Sequence, residues 1–238
     1  MIIPARMAST RLPGKPLADI AGEPMIVHCW RRAVEADVGP VIVACAEREI
    51  AVAVEAAGGT AVLTAPDLPS GSDRAAAALA MLDPDETYDA VLNLQADLPT
   101  LDPVAVRAAY AVLATQGVEI ATLACLIAED GERSNPNVVK AVIALQPGAT
   151  QGRALYFSRA TVPTGEGEHY HHIGLYAFRR ASLTRFVDLP VSGLEQRERL
   201  EQLRALEAGM RIDVALVDTV PLGVDTPADL ERARALLG

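Results

Sequence analysis

Along the first half of the chain, short apolar runs alternate with longer segments whose apolar positions recur at helical spacing. Met1-Ile2-Ile3 predicts a short strand, followed by a loop from Pro4 to Pro24 that is rich in Pro, Gly and Arg. Ile26, Trp30, Ala33 and Val34 then mark one face of a helix over residues 25–35. Residues 41–45 read as a buried strand, and 48–57 as a helix closed by Gly58-Gly59. Strands are also expected at 61–63, 90–94 and 120–127. Helices are expected from Ser72, as N-cap, through Leu82, and from Asp102-Pro103 to about Gln116. Strands separated by helices of this length argue for βαβ units and a right-handed, mostly parallel wound sheet, an α/β fold.

The rhythm changes after Ser134. From there to about Phe178 apolar and polar positions alternate, with turn signals at Pro147-Gly148 and Gly165-Glu166-Gly167. This pattern predicts an antiparallel ribbon added to the main sheet, of the kind used as a dimerisation arm or a substrate-side flap. A helix over 194–208 with Leu200, Leu203 and Leu206 inward, a strand at 212–217 and a final helix over 226–237 complete the reading. No repeat, low-complexity linker or composition shift divides the chain. It reads as one domain, 1–238, with 134–192 as an inserted sub-region for sugar binding and dimerisation.

Composition narrows the class. Of 238 residues, 50% are hydrophobic and 22% charged, and a chain of this size buries roughly 70–75% of its unfolded surface without staples. The apolar runs fall well short of the roughly 18–20 residues of a membrane span. Pro4 and Arg6 interrupt the apolar start, which argues against a secretory leader. Cys29, Cys45 and Cys125 have apolar neighbours and no C-x-x-C spacing, so they read as reduced core thiols of a cytoplasmic protein rather than zinc ligands.

Charge is more telling. The 21 basic and 31 acidic residues give a net charge of -10, and only 4% of the chain is aromatic. A nucleic-acid partner is therefore not expected, since the chain has neither the basic stripe nor the stacking platforms such binding uses. Residues 1–18 nevertheless carry Arg6, Arg11 and Lys15 and no acid. Screening over roughly 8–10 Å makes this local excess outweigh the distant net charge. The loop Pro4-Ala5-Arg6-Met7-Ala8-Ser9-Thr10-Arg11-Leu12-Pro13-Gly14-Lys15-Pro16 follows the first strand, where wound sheets bind ligands. It can offer backbone N–H groups and three cations to a polyphosphate. It is neither a Walker A loop, because Pro16 follows Gly14-Lys15, nor a G-x-G-x-x-G turn. The bland alternative is a solvated basic loop shaped by its prolines; position after the first strand and a glycine beside the lysine favour phosphate.

Further strings recur in order: Ser70-Gly71-Ser72-Asp73-Arg74, Asn93-Leu94-Gln95-Ala96-Asp97, Asn135-Pro136-Asn137-Val138-Val139-Lys140, Ala154-Leu155-Tyr156-Phe157-Ser158-Arg159-Ala160, His172-Ile173-Gly174-Leu175-Tyr176, Leu200-Glu201-Gln202-Leu203-Arg204 and Gly223-Val224-Asp225-Thr226-Pro227. Together with the N-terminal loop they closely resemble the 3-deoxy-manno-octulosonate (KDO) cytidylyltransferases of lipopolysaccharide synthesis, over essentially the whole chain. The resemblance implies a nucleotide-sugar-transferase-like fold, a homodimer, Mg2+ dependence, and a reaction of CTP with the sugar acid giving CMP-KDO and pyrophosphate. It implies that Arg6, Arg11 and Lys15 hold the triphosphate, with Pro4, Ala5, Ser70, Gly71, Ser72 and Arg74 around the nucleotide. Gln95, Arg159, His172, Tyr176, Glu201 and Gln202 would line the sugar pocket, and Asp97 and Asp225 would ligate magnesium. Together, Lys15, Arg6, Arg11, Asp97 and Asp225 form the expected catalytic set. The alternatives are a cytidylyltransferase for 8-amino-KDO or a nonulosonate, and a nucleotide-binding homologue without turnover.

Physical chemistry supports the two aspartates. Each follows a predicted strand at the same sheet edge, and Mg2+ takes hard oxygens from one or two carboxylates plus phosphate. On pattern alone Asp97 is equally a turn residue before Leu98-Pro99, and Asp225 a helix-opening residue before Thr226-Pro227. Among the histidines, a ribbon places His169 and His171 on one face and His172 on the other, so they do not form a metal cluster; His169 and His171 are expected in solvent and His28 in a structural role. Glu201 and Gln202 lie in a run of Glu and Arg that otherwise reads as a salt-bridged surface. Three departures from the family pattern stand out: Ala96 for Gly, Leu98 for Glu, and a late start that shortens the expected first strand.

Overall fold

Ile2 and Ile3, both buried, open β1 (Ile2–Ala5), a full four-residue strand that ends where the basic loop begins. The computed structural model describes residues 1–9 and 11–238; Thr10 of the basic loop lies outside the described residues. The loop makes a 3-10 turn over Lys15–Leu17 and a two-stranded ribbon, β2 (Asp19–Ile20) with β3 (Glu23–Pro24). Next comes α1 (Met25–Glu35), burying Ile26, Cys29 and Ala33, whereas Val34, expected on that face, is 46% exposed. Then follow β4 (Ile42–Cys45), α2 (Arg48–Ala56), β5 (Thr60–Leu63), α3 (Gly71–Leu82), β6 (Ala90–Asn93) and α4 (Pro103–Val112).

β1 pairs in parallel with both β4 and β6, and β4 with β5, so the order is β5-β4-β1-β6. The chain winds outward from β1 through β4 to β5 and then returns to the other side of β1. That reversal makes a topological switch point between β1 and β6, where the carboxyl ends of strands open a crevice for ligands. Two helix ends differ from the sequence expectation. The N-cap of α3 is Ser70, whose hydroxyl accepts the Asp73 N–H, while Ser72 is buried and faces Asn93. α4 stops at Val112, beyond which 113–115 make only i to i−3 bonds before Gly117 takes a positive φ of 78°.

In the second half, β7 (Ile120–Leu126), α5 (Asp130–Ser134), β8 (Lys140–Ala144), β9 (Gln151–Ser158) and β10 (Tyr170–Arg179) precede α6 (Arg180–Asp188), α7 (Gly193–Glu198), α8 (Gln202–Glu207) and β11 (Ile212–Val217). The expected antiparallel ribbon is present: β8 runs against β9, and β10 against β7 and β8. β11 lies parallel to β7 and antiparallel to β9, so these five strands close on one another. The single helix expected over 194–208 is two, because Arg199 takes a left-handed φ of 55° between α7 and α8. α6, absent from the sequence expectation, buries Leu183 and Phe186. The last helix, α9 (Pro227–Leu237), packs with Ile20, Met25 and Cys29 through Leu230 and Ala233.

The chain divides into two compact units, Met1–Arg107 with Pro221–Gly238, and Ala108–Val220. Among the described residues no helix is long and apolar enough to cross a membrane, and no group of three or more His, Cys, Asp or Glu could hold a metal ion. The three cysteines are free and buried, as expected; burial pushes the Cys45 thiol up to about 12 and Cys29 higher still, so both stay protonated and inert.

Candidate active site

Gly14 sits at φ 69°, a left-handed conformation that glycine adopts without penalty, and it turns the basic loop into the 3-10 segment. Ser9 Oγ accepts from Leu12 N, and Glu47 accepts from Met7 N, so the loop is tied at both ends. This geometry sends the Lys15 ammonium inward. Its Nζ lies 2.7 Å from Asp97 Oδ2 and 2.9 Å from Asp225 Oδ1. Arg11 completes the cluster, with Nη2 3.0 Å from Asp225 Oδ2.

Both aspartates reach this point through loops at the switch point. Asp97 follows β6, and its carbonyl accepts from Val224 N, while Leu222 N donates to Thr100 Oγ1. These bonds pin the segment before α9 against the loop after β6. The N-cap of α9 is Thr226, in a reciprocal capping box with Asp229, and Pro227 is its first residue. Helix opening therefore does not occupy the Asp225 carboxylate, which is left to the two cations. Burial alone would lower the Lys15 pKa, but the charges and hydrogen bonds of Asp97 and Asp225 outweigh it, and the net shift is upward. Lys15 is a fixed cation at neutral pH.

A cavity of about 400 Å³ opens beside this cluster, lined by Pro4, Ala5, Arg6, Arg11, Lys15 and Asp97 from the loops after β1 and β6. Ser70, Gly71, Arg74 and Gln95 line it too. Gly71 allows a close approach here: a Cβ at this position would lie 3.1 Å from Pro4 Cγ. The Ser70 hydroxyl is engaged with Asp73. Arg74, only 2% exposed, donates to Thr64 Oγ1 and to the carbonyls of Ala65 and Pro66, so it braces the loop leading to α3. Ser72 points inward, away from the lining.

In the second unit, Tyr176, Glu201 and Gln202 lie together with Phe178 and Phe186 around a gap too small to hold a water molecule. Gln202 Nε2 is buried there without a hydrogen-bond partner. His172 adjoins Tyr176 at 5.7 Å between ring centroids, and its Nε2 lies 2.9 Å from Thr122 Oγ1. Burial pushes the His172 imidazole down to about 3, with His171 adding to the shift, so it is neutral at physiological pH. Arg159, at the end of β9, is half-buried and held by Glu198. His169 corrects the expectation of a solvated side chain: it is 3% exposed, with its ring nitrogens on the carbonyls of Pro163 and Gly167. His28 has the expected structural role, facing the Ile20 carbonyl at 2.9 Å.

Residues 1–212 match the cytidylyltransferase family. The chain is 68% identical to the 3-deoxy-manno-octulosonate cytidylyltransferase of Paramagnetospirillum magneticum, over 100% of this chain and 96% of the relative. It is 67% identical to the enzyme of the same name from Rhodospirillum rubrum, over 100% and 95% of the two chains. The solved structure of CMP:2-keto-3-deoxy-manno-octonic acid synthetase complexed with CTP superposes with a TM-score of 0.88 at 40% identity, covering 99% of this chain and 96% of that one. The chain belongs to the 3-deoxy-manno-octulosonate cytidylyltransferase family.

Within this cytidylyltransferase, Ala96 and Leu98 in the loop after β6 differ in setting. Ala96 is among the residues that line the cavity. Leu98 is 8% exposed and packs inside. Lys140 and Glu198, to which residue pattern assigns no role, both bind Arg159. A lysine beginning the otherwise apolar run 140–144 was the one available signal of a buried charge.

Proposed function

We propose that the protein is a CTP-dependent enzyme that activates KDO, giving CMP-KDO and pyrophosphate, with Mg2+ as its metal. The observation carrying this reading is the meeting of Lys15, Arg11, Asp97 and Asp225 beside a cavity that Arg6 also lines. The donor chemistry fits the ion: two hard carboxylates gather around one cation position, which the Lys15 ammonium marks. A divalent cation held by Asp97 and Asp225 would supply charge neutralisation and lower the pKa of a bound hydroxyl.

In the reaction, the anomeric hydroxyl of KDO gives up its proton to solvent and its oxygen bonds to the α-phosphorus of CTP while the bond to the bridging oxygen of pyrophosphate breaks in line. Lys15, Arg6 and Arg11 bind the triphosphate and spread the charge of the departing pyrophosphate. Pro4, Ala5, Ser70 and Gly71 shape the wall for the nucleoside, and Arg74 holds the loop that carries part of it. Arg159 binds the sugar carboxylate, while His172, Tyr176, Glu201, Gln202 and Gln95 orient its hydroxyls. As a neutral ring, His172 serves as a hydrogen-bonding group rather than a counter-ion. The resemblance to this family also supports a cytoplasmic homodimer, which light scattering of the purified protein tests.

A pyrophosphate-release screen decides the substrate. CTP, UTP and ATP are each combined with KDO, 8-amino-KDO and sialic acid, with and without EDTA. Release with CTP and KDO, abolished by EDTA, is expected. Preference for 8-amino-KDO would tie the Ala96 and Leu98 departures to the sugar. CTP binding without release for any acid would make the protein a nucleotide-binding homologue.

A further inference from the structure

Lys140 opens β8 and is fully buried, yet among the described residues no carboxylate bonds its ammonium. Its three hydrogens go to three main-chain carbonyls: Asn135 at 2.9 Å, Val138 at 2.6 Å and Arg159 at 2.8 Å. Burial, with the nearby Arg159 charge, lowers its pKa, and the Glu198 charge opposes that shift. A buried ammonium is a costly way to fill space that an apolar chain of the same length would fill, so what it holds is informative.

What it holds is Arg159, from one side. Glu198 holds the same residue from the other: its Oε2 accepts the Arg159 main-chain N–H at 2.9 Å, its carbonyl accepts Arg159 Nε at 2.9 Å, and its Oε1 accepts Ser158 Oγ at 2.8 Å. The Pro136 carbonyl, in the segment Lys140 ties down, accepts Arg159 Nη1 at 3.0 Å. The guanidinium is thus fixed at Nε and on one Nη1 hydrogen, which leaves the second Nη1 hydrogen and both Nη2 hydrogens to present as a fork. That fork matches the two oxygens of a carboxylate.

We propose that Lys140 and Glu198 are positioning residues that fix the Arg159 fork for the carboxylate of the acidic sugar. This rests on the reading of Arg159 as the contact to that carboxylate. The two residues touch no reacting atom; they act by removing the freedom that a half-exposed arginine would otherwise lose on binding.

The test is steady-state pyrophosphate release by the full-length enzyme with KDO varied at saturating CTP, for K140M, E198Q, R159M and the doubles K140M/R159M and E198Q/R159M. K140M and E198Q are each expected to raise the KM for KDO about 10-fold, with kcat and the KM for CTP within about 2-fold of wild type, and R159M is expected to raise the KM for KDO at least as much. In the R159M background neither K140M nor E198Q should raise it further, because the group they position is gone. If R159M alone leaves the KM for KDO unchanged, the reading of Arg159 fails and takes this proposal with it. If R159M raises it but the other singles do not, or if their effects multiply with R159M, Arg159 stands and the positioning role is overturned. Should K140M not fold, E198Q and its double decide the matter alone.

Discussion

Lys15 Nζ lies 2.7 Å from Asp97 Oδ2 across 82 positions of chain, so the end of the basic loop and the end of β6 meet at one point. Asp225 reaches the same ammonium from 210 positions away. Lys15 therefore balances the carboxylate pair, and in the proposed reaction it also faces the charge that develops on the pyrophosphate. K15M is expected to lower kcat by about 100-fold or more, the scale of losing one fixed electrostatic stabiliser, and to raise the KM for CTP. Pyrophosphate release measures both; a fall of less than about 3-fold would separate Lys15 from the chemistry.

The buried His172 makes stability depend on acid. Its folded pKa of about 3 lies below the ordinary 6.5, so the unfolded chain takes up the proton first. The stability tied to its neutral form is present above pH 6.5 and is lost as pH falls from there towards 3. At pH 4.5 that loss comes to about 2–3 kcal/mol. Urea unfolding of wild type and H172Q at pH 7 and 4.5 checks it: the variant should lose less stability on acidification. Equal losses would show that His172 does not carry this dependence.

In the second unit, Glu195 receives Arg204 through both carboxylate oxygens, at 2.8 and 2.6 Å, with both side chains nearly out of solvent. Glu195 also closes the capping box of α7 with Ser192. E195A removes both carboxylate partners of a buried guanidinium and half of the cap, and it should cost about 3 kcal/mol. S192A, which removes only the cap bond, should cost about 1 kcal/mol. Urea midpoints for the two variants test the ranking, and equal losses would contradict it.

The wound half of the fold was legible because its strands are short, apolar and separated by helices with their own stop signals. α1 falls on residues 25–35 as read, and Gly58 does close α2, at a positive φ of 87°. What was missed depends on contacts that local sequence does not encode. Ser70 and Ser72 are equal cap candidates by type, and only the inward turn of Ser72 towards Asn93 decides between them. The left-handed Arg199 splits 194–208 with no glycine to announce it. α6 follows β10 directly, without a breaker. His169 is buried with its Nε2 2.9 Å from the Pro163 carbonyl, a contact that six residues of chain do not announce.

The site was readable in the same uneven way. The excess of Arg6, Arg11 and Lys15 over acids at the chain start singles out the loop, the end of a predicted strand singles out Asp97, and the Asp-Thr-Pro start of the last helix singles out Asp225. The open choice at Asp225 needed Thr226 to be seen taking the cap. The engagement of Ser70, the bracing role of Arg74 and the tether on Arg159 follow from hydrogen bonds between distant segments, which spacing along the chain cannot show.

In the proposed reaction the cationic loop and the two aspartates work together on a metal–triphosphate. The most direct measurement is pyrophosphate release from CTP and KDO by D225N across a Mg2+ titration, with circular dichroism confirming the fold. Turnover should fall by about 100-fold or more and stay low at saturating Mg2+. Near-normal turnover at saturating Mg2+ would contradict the account.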